Sequence, residues 1–339
     1  MSWFGRWLDL DWELISGTTV RAFVGVQACY FALAAIGLNV HYGYTGLANF
    51  GQVAFVAVGA YSIAMGVVTF GWSLWFAMFA GLLTAVVLAL VLGVPTLRLR
   101  TDYLAIVTIA AGEILRLTLR AASYRETTGG SDGLQAFGDD FYDLNPLGAG
   151  SYGYGPLRFN ERVTWVLLVG WGLVALSSLL VYLLMRSPWG RIVKAIREDE
   201  DAVRALGKNV YFYKMQSLIL GGVIGALGGF IFALAAQAVI PDQYSTQLTF
   251  FAYTALILGG TARIFGPVVG SMIFWALLQF TDVMLRQMIS NEIISTDLLQ
   301  TNEVGILRFI LVGVGLMTLM IFRAQGIFGD KEEIAVGGR

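Results

Sequence analysis

The chain has 339 residues, 57% of them hydrophobic and only 13% charged, with 22 Lys and Arg against 23 Asp and Glu and a mean hydropathy of +0.70. That composition excludes an ordinary soluble domain, and a net charge of -1 argues against nucleic-acid binding. One cysteine, Cys29, rules out an internal disulfide, and one histidine, His41, cannot build a multi-histidine metal site.

Residues 1 to 19 are rich in Trp and acids and lack the basic-then-apolar order of a cleavable signal. They read either as an interfacial segment carrying Trp3, Phe4, Trp7, Leu8, Trp12 and Leu14, where indole rings are favoured, or as a disordered start. No Asp, Glu, Lys or Arg occurs from Ala22 to Leu97. A helix crosses the hydrocarbon in about 20 mostly apolar residues, so this run holds three crossings, at roughly 20–40, 48–70 and 73–94. Further apolar segments follow at roughly 103–120, 163–185, 214–239, 247–260, 267–286 and 304–322. The expected fold is all-α: a polytopic integral membrane bundle of about 8 to 10 transmembrane segments, some broken or re-entrant. Residues 20–323 form the membrane domain and 324–339 a tail.

Short loops rich in Lys and Arg stay cytoplasmic. The stretch 186–213, with Lys214 just beyond, is the most basic loop, so it is expected inside, along with Arg98, Arg100 and the tail from Arg323. The connections 121–162 and 287–303 then fall outside, as does the amino terminus. The Gly, Tyr, Asp and Asn content of 121–162 suits an ordered loop that serves as a partner surface, a lid or a plain connection.

Two glycine-rich sequences interrupt the apolar pattern: "GYTGLANFGQ" at 43–52 and "LGGTARIFGPVVG" at 258–270. Each glycine weakens a helix by about 1 kcal/mol relative to Ala, and free backbone at membrane depth survives only against protein or a water-filled cavity. Such a pair points to a transport pathway; ordinary loops between helices are the alternative. Within 103–120, Glu113 and Arg116 share a helix face at i, i+3 spacing, so they pair with each other or line a polar interior. Gly221, Gly225 and Gly229 recur at i+4 and predict close helix packing, within the chain or with a partner.

No phosphate-binding G-x-x-x-x-G-K-[ST] occurs, since Gly207-Lys208 is followed by Asn209. Metalloprotease and paired-cysteine motifs are likewise absent from the sequence, so neither an enzyme nor a cofactor is expected. The charge is concentrated in "SPWGRIVKAIREDEDAVRALGKN", 187–209. Pro188 opens a helix, acids at 198–201 precede Arg204 and Lys208, and Ile192, Ala195, Ile196, Ala202, Val203 and Leu206 keep helical spacing. One short amphipathic surface helix is expected, docking on a protein partner.

"DAVRALG", Asp201 to Gly207, resembles the E-A-A-x-x-x-G coupling motif of the permease subunits of ABC importers, with Asp for Glu and Val for the second Ala. Four further motifs resemble the branched-chain amino acid permeases in the same order: "GLNVHYGYTGLANFGQVAFVAVGAY", "TDYLAIVTIAAGEILRLTL", "TGGSDGL" and "LGGTARIFGPVVG". "TGGSDGL" and "REDE" resemble the LivM-like half of the usual unlike pair. The resemblance implies an inner-membrane permease of a prokaryote that pairs with a second homologous permease subunit. Two ATP-binding cassette subunits and an extracytoplasmic solute-binding protein complete the assembly in the lipid bilayer. It implies pathway roles for Thr45, Gly46, Asn49, Gly51, Gln52, Thr108 and Glu113, and ATPase coupling through Arg191, Arg197, Glu198, Asp199, Glu200, Asp201, Ala202, Arg204 and Gly207. Thr128, Gly129, Gly130, Asp132 and Gly133 would face the binding protein. Importers of urea or short amides use similar subunits, and an ion-coupled carrier with Glu113 as the coupling acid is the rival outside the class.

Overall fold

A computed structural model describes residues 10–97, 101–291, 293, 303–322 and 325–329. Trp3, Phe4, Trp7, Leu8, Arg98, Arg100, Arg323, most of the 287–303 connection and the tail from 330 onward lie outside the described residues. Apart from single turns, the helices are α1 Trp12–Val24, α2 Val26–Leu38, α3 Gln52–Ala64, α4 Leu74–Thr96, α5 Thr101–Arg120, α6 Glu161–Arg186, α7 Pro188–Glu198, α8 Glu200–Ala205, α9 Val210–Ala236, α10 Thr246–Gly259, α11 Gly266–Ser290 and α12 Val304–Phe322. Among the described residues, six helical stretches are long and apolar enough to cross a membrane: Trp12–Tyr44, Gln52–Thr69, Leu74–Thr96, Glu161–Arg186, Val210–Ala236 and Gly266–Ser290. Thr246–Gly259 and Val304–Gly315 are shorter apolar helices, so the chain is a polytopic helical bundle.

Every apolar segment expected from the sequence is helical, with shifted ends. The first helix starts earlier than residue 20, because the Asp11 carboxylate accepts from Leu14 N at 2.9 Å and caps it. Gly25, extended at ψ 172°, then breaks α1 from α2. Asn160 and Asn209 cap α6 and α9 in the same manner as Asp11.

Helix α2 is buried on all sides from Ala28 to Leu38, as a helix apolar all round must be. It packs with α3 against α9, whose glycines make the close approach possible. A Cβ at Gly229 would overlap the Val56 carbonyl, and one at Gly221 would overlap the Gly37 carbonyl and the His41 ring. The i+4 glycine spacing therefore serves packing within the chain. Around this centre, α4 and α6 expose Phe79, Leu83, Val87, Val91, Leu176, Leu179 and Leu183, the outward apolar surface expected where lipid replaces water.

One end of the bundle carries the charged block 186–209 and the other carries 121–162. The 121–162 connection is ordered: single turns at Arg125–Thr128 and Asp139–Asp143, and two short antiparallel pairs, β1 Leu134–Gln135 with β4 Ala238–Val239 and β2 Ser151–Tyr152 with β3 Phe159–Asn160. Tyr142, its phenol pKa raised by burial, donates to Leu234 O at 2.8 Å.

The single amphipathic helix expected over 188–207 is two helices. Asp199 is extended (φ -152°, ψ 101°) and ends α7, while its carboxylate accepts from Asp201 N and Ala202 N to start α8. The apolar stripe divides accordingly. Val193, Ile196 and Val203 are buried, whereas Ala202 and Leu206 are exposed, Leu206 at 79%.

Candidate functional site

The sequence Gly43–Gln52 is a helix break inside the bundle. After α2 the chain runs through a wide turn, Asn39–Tyr44, to the charged end, where the Gly43 carbonyl accepts from Arg197 Nη1 at 2.5 Å. It then returns without helical structure from Gly46, a left-handed residue at φ 74°, and α3 begins only at Gln52. Gln52 Nε2 donates to Gly221 O at 3.2 Å, roughly 16 Å along an α9 that is about 40 Å long at 1.5 Å per residue. The helix-breaking glycines thus produce a re-entrant segment, a non-helical stretch of backbone that turns back into the bundle over 46–51 and continues as α3.

Backbone groups there must find protein partners, and the partners are specific. Phe50 N donates to Thr108 Oγ1 at 3.1 Å and Gly51 N to Asn49 Oδ1 at 2.9 Å. Val53 N donates to Thr249 Oγ1 at 2.9 Å, and the Tyr253 hydroxyl donates to Asn49 O at 3.0 Å. Thr45 Oγ1 lies 2.7 Å from Val40 O and 2.9 Å from Ser217 Oγ, and the His41 ring bridges Leu218 O and the Asn49 carboxamide, each at 3.1 Å. Thr45, Asn49, Gln52, Thr108, Ser217, Thr249 and His41 are all buried. At Gly51 any side chain would meet the Thr108 carbonyl, which lets α5 cross there.

The second glycine-rich sequence meets the first. Both ends of the Asn39 carboxamide hold it: Nδ2 donates to Arg263 O and Oδ1 accepts from Ala262 N, each at 2.8 Å. Ile327 N and Phe328 N donate to Leu258 O and Gly259 O, so the residues after α12 strap the α10–α11 break.

Of the pathway candidates, Thr45, Gly46, Asn49, Gly51, Gln52 and Thr108 form this one cluster, and Glu113 does not join it. Glu113 instead pairs with Arg116, at 2.6 Å, on a half-exposed edge of α5. Arg116 also reaches Asp242 at 2.6 Å and Arg120 reaches the same carboxylate at 3.2 Å. Asp242 was invisible in the sequence because its partners come from a distant helix. Asn39, His41, Ser217, Thr249 and Tyr253 were not singled out as site residues, since their only signal was polarity inside or beside an apolar run. A further acid within an apolar helix, Asp282 of α11, lies between Arg286 at 2.9 Å and Arg308 at 3.0 Å.

Along the charged block, Arg191, Glu198, Asp199, Asp201, Ala202, Arg204 and Gly207 are exposed, and Glu200 is half-buried. Arg204 pairs with Glu200 and Asp201, and Glu200 also holds Lys214. Gly207 adopts φ 75° with open space around it. At the opposite end, Thr128 Oγ1 donates to Leu119 O and accepts from Gly130 N, and Asp132 pairs with Arg125. Gly133 (φ 74°) turns the chain under Val239, whose carbonyl a Cβ would overlap, and so sets up the β1–β4 pair.

The family described as branched-chain amino acid transport system / permease component matches residues 21–316, nearly the whole bundle. The chain belongs to this family. The high-affinity branched-chain amino acid transport system permease protein LivM of Salmonella typhimurium is 30% identical over 319 residues, 90% of this chain and 69% of that one. LivM of Escherichia coli is 30% identical over 333 residues, 94% and 72% of the two chains. A probable LivM of Methanocaldococcus jannaschii is 24% identical over 345 residues, 89% and 91%. This permease is accordingly a multi-pass inner-membrane protein and a transport subunit rather than an enzyme.

Proposed function

We propose that this permease forms half of the translocation pathway of a binding-protein-dependent ABC importer for branched-chain or related amino acids. The other half is a second, homologous permease subunit, and two ATP-binding cassette subunits supply ATP hydrolysis from the cytoplasm. The observation that carries the reading is the exposed tip of α8, where Ala202, Leu206 and Gly207 stand free of the bundle beside exposed charges at Arg191, Arg197, Glu198, Asp199, Asp201 and Arg204. A projecting apolar knob ringed by charge suits insertion into a cleft, with the charges setting register. The block 186–213 is then cytoplasmic, and 121–162 is the outer loop through which Thr128, Gly129, Gly130, Asp132 and Gly133 receive the binding protein.

Thr45, Gly46, Asn49, Gly51, Gln52 and Thr108 belong to the pathway by shaping the broken segment at its wall, while Glu113 stands on the half-exposed face of α5. Residues 20–323 make up the permease domain.

The test is reconstitution in lipid vesicles. Expected is ATP-dependent uptake that requires the partner permease, the ATPase subunits and the binding protein, with the amino acid set by the binding protein's ligand. Uphill accumulation by the purified chain alone, driven by an ion gradient, would overturn the proposal in favour of a carrier. A cognate binding protein that takes urea or a short amide would reassign the solute.

A further inference from the structure

Helix α7 is fastened to the re-entrant segment as well as to the bundle. Arg197 Nη1 donates to Gly43 O, and Lys194 Nζ lies 5.8 Å from the centre of the Tyr44 ring. The Arg197 methylenes pack over Gly46, where the position of a Cβ is 3.4 Å from Arg197 Cγ. The Gly43 carbonyl belongs to the last turn of the Trp12–Tyr44 span, where helix carbonyls are left without intrahelical partners and the dipole is negative. Here a guanidinium from an element 154 residues away supplies the cap. A charge-assisted bond of this kind is about twice as strong as a neutral one.

The same segment is tied at bundle depth to α9, through His41 to Leu218 O, Thr45 to Ser217 and Gln52 to Gly221 O. An unbroken series of packed and hydrogen-bonded groups therefore runs from the exposed charged block through Arg197 and Gly43 to the middle of the bundle.

We infer that Arg197 is a positioning residue that transmits displacement of the charged block to the re-entrant segment, so that Gly43–Gln52 changes position with the nucleotide state of the partner ATPase. The inference rests on the importer reading above. It adds the residue through which ATP hydrolysis is linked to the pathway, and it assigns Arg197 to the inside of the linkage rather than to the docking face alone.

The assembled complex in lipid vesicles tests it, with Tyr42→Cys as a reporter beside Gly43. Tyr42 is 40% exposed and the native Cys29 is wholly buried, so a membrane-permeant thiol reagent reads the reporter. With Arg197 intact, the labelling rate should differ between nucleotide-free and ATP-trapped complexes. In Arg197→Ala that difference should vanish and solute moved per ATP hydrolysed, counted per bound ATPase, should fall about tenfold, within the usual range of coupling between sites; loss of the ATPase from the Arg197→Ala complex would return Arg197 to the docking face and overturn the inference. Arg197→Lys, which keeps a cationic donor, should restore both.

Nucleotide-dependent labelling that persists in Arg197→Ala would overturn the inference, whether or not transport falls, because a merely structural role lowers activity without uncoupling the reporter. Absence of any ATPase from the complex with Arg197 intact would overturn the importer reading itself, and it is visible before Arg197 is changed.

Discussion

Thr108 carries a backbone donor of the broken segment. Its hydroxyl accepts from Phe50 N and lies 2.9 Å from Ala105 O, and the side chain is wholly buried. Thr108→Val keeps the volume and leaves the Phe50 N–H unpaired, a loss of about 1–3 kcal/mol. Thr108→Ser keeps the acceptor. Thermal unfolding in detergent should therefore rank wild type and Thr108→Ser well above Thr108→Val; equal midpoints for Ser and Val would mean that Phe50 N finds another partner. Asp282 is a similar case in charge, since its buried carboxylate is held by Arg308 and by the half-exposed Arg286.

Among the elements, α8 separates docking from folding. Leu206 is 79% exposed, and no atom lies within 4 Å of where a Cβ at Gly207 would sit. Leu206→Glu should thus change stability by no more than about 0.5 kcal/mol, as surface substitutions usually do, and should nevertheless abolish copurification of the ATPase subunits. Retained copurification would remove α8 from the interface. The neighbouring α7 differs in kind. Its Val193 and Ile196 are buried, Trp189 Nε1 donates to Gln216 Oε1 at 2.8 Å, and Arg197 holds Gly43. Substitutions at Trp189, Val193 or Ile196 disturb the bundle together with any partner.

For the whole molecule, sidedness follows from which segments share an end. The Gly43 turn and the charged block share one end, and residues 325–329 strap Gly259, which is joined to that end through Asn39. Arg21 Nε donates to Pro156 O of the 121–162 connection, and Asp11 N to Gln287 at the far end of α11. A membrane-impermeant thiol reagent applied to intact cells should label Tyr154→Cys, whose position is 94% exposed, and should spare Leu206→Cys until the membrane is opened. The reverse pattern would turn the whole topology over.

The amino-acid sequence alone determined the bundle, its apolar segments and the family, and it marked the two glycine-rich interruptions and the Glu113–Arg116 spacing while leaving two readings open for each. Each of these is written locally, as a run without charge, a glycine inside an apolar stretch, an i, i+3 spacing or a short motif. Tertiary structure decided what those pieces touch. Only there does Asn39 join the two glycine-rich sequences, Arg116 find Asp242, and Arg197 reach the carbonyl of Gly43. The division of the charged block into two helices also waited for the fold, because Asp199 gains more from capping α8 while Val193, Ile196 and Val203 reach the core than one straight helix would allow. Hydrogen-bond partners far apart in the chain leave no periodicity in the sequence, and a buried polar side chain looks the same there whether it faces solute or fastens backbone.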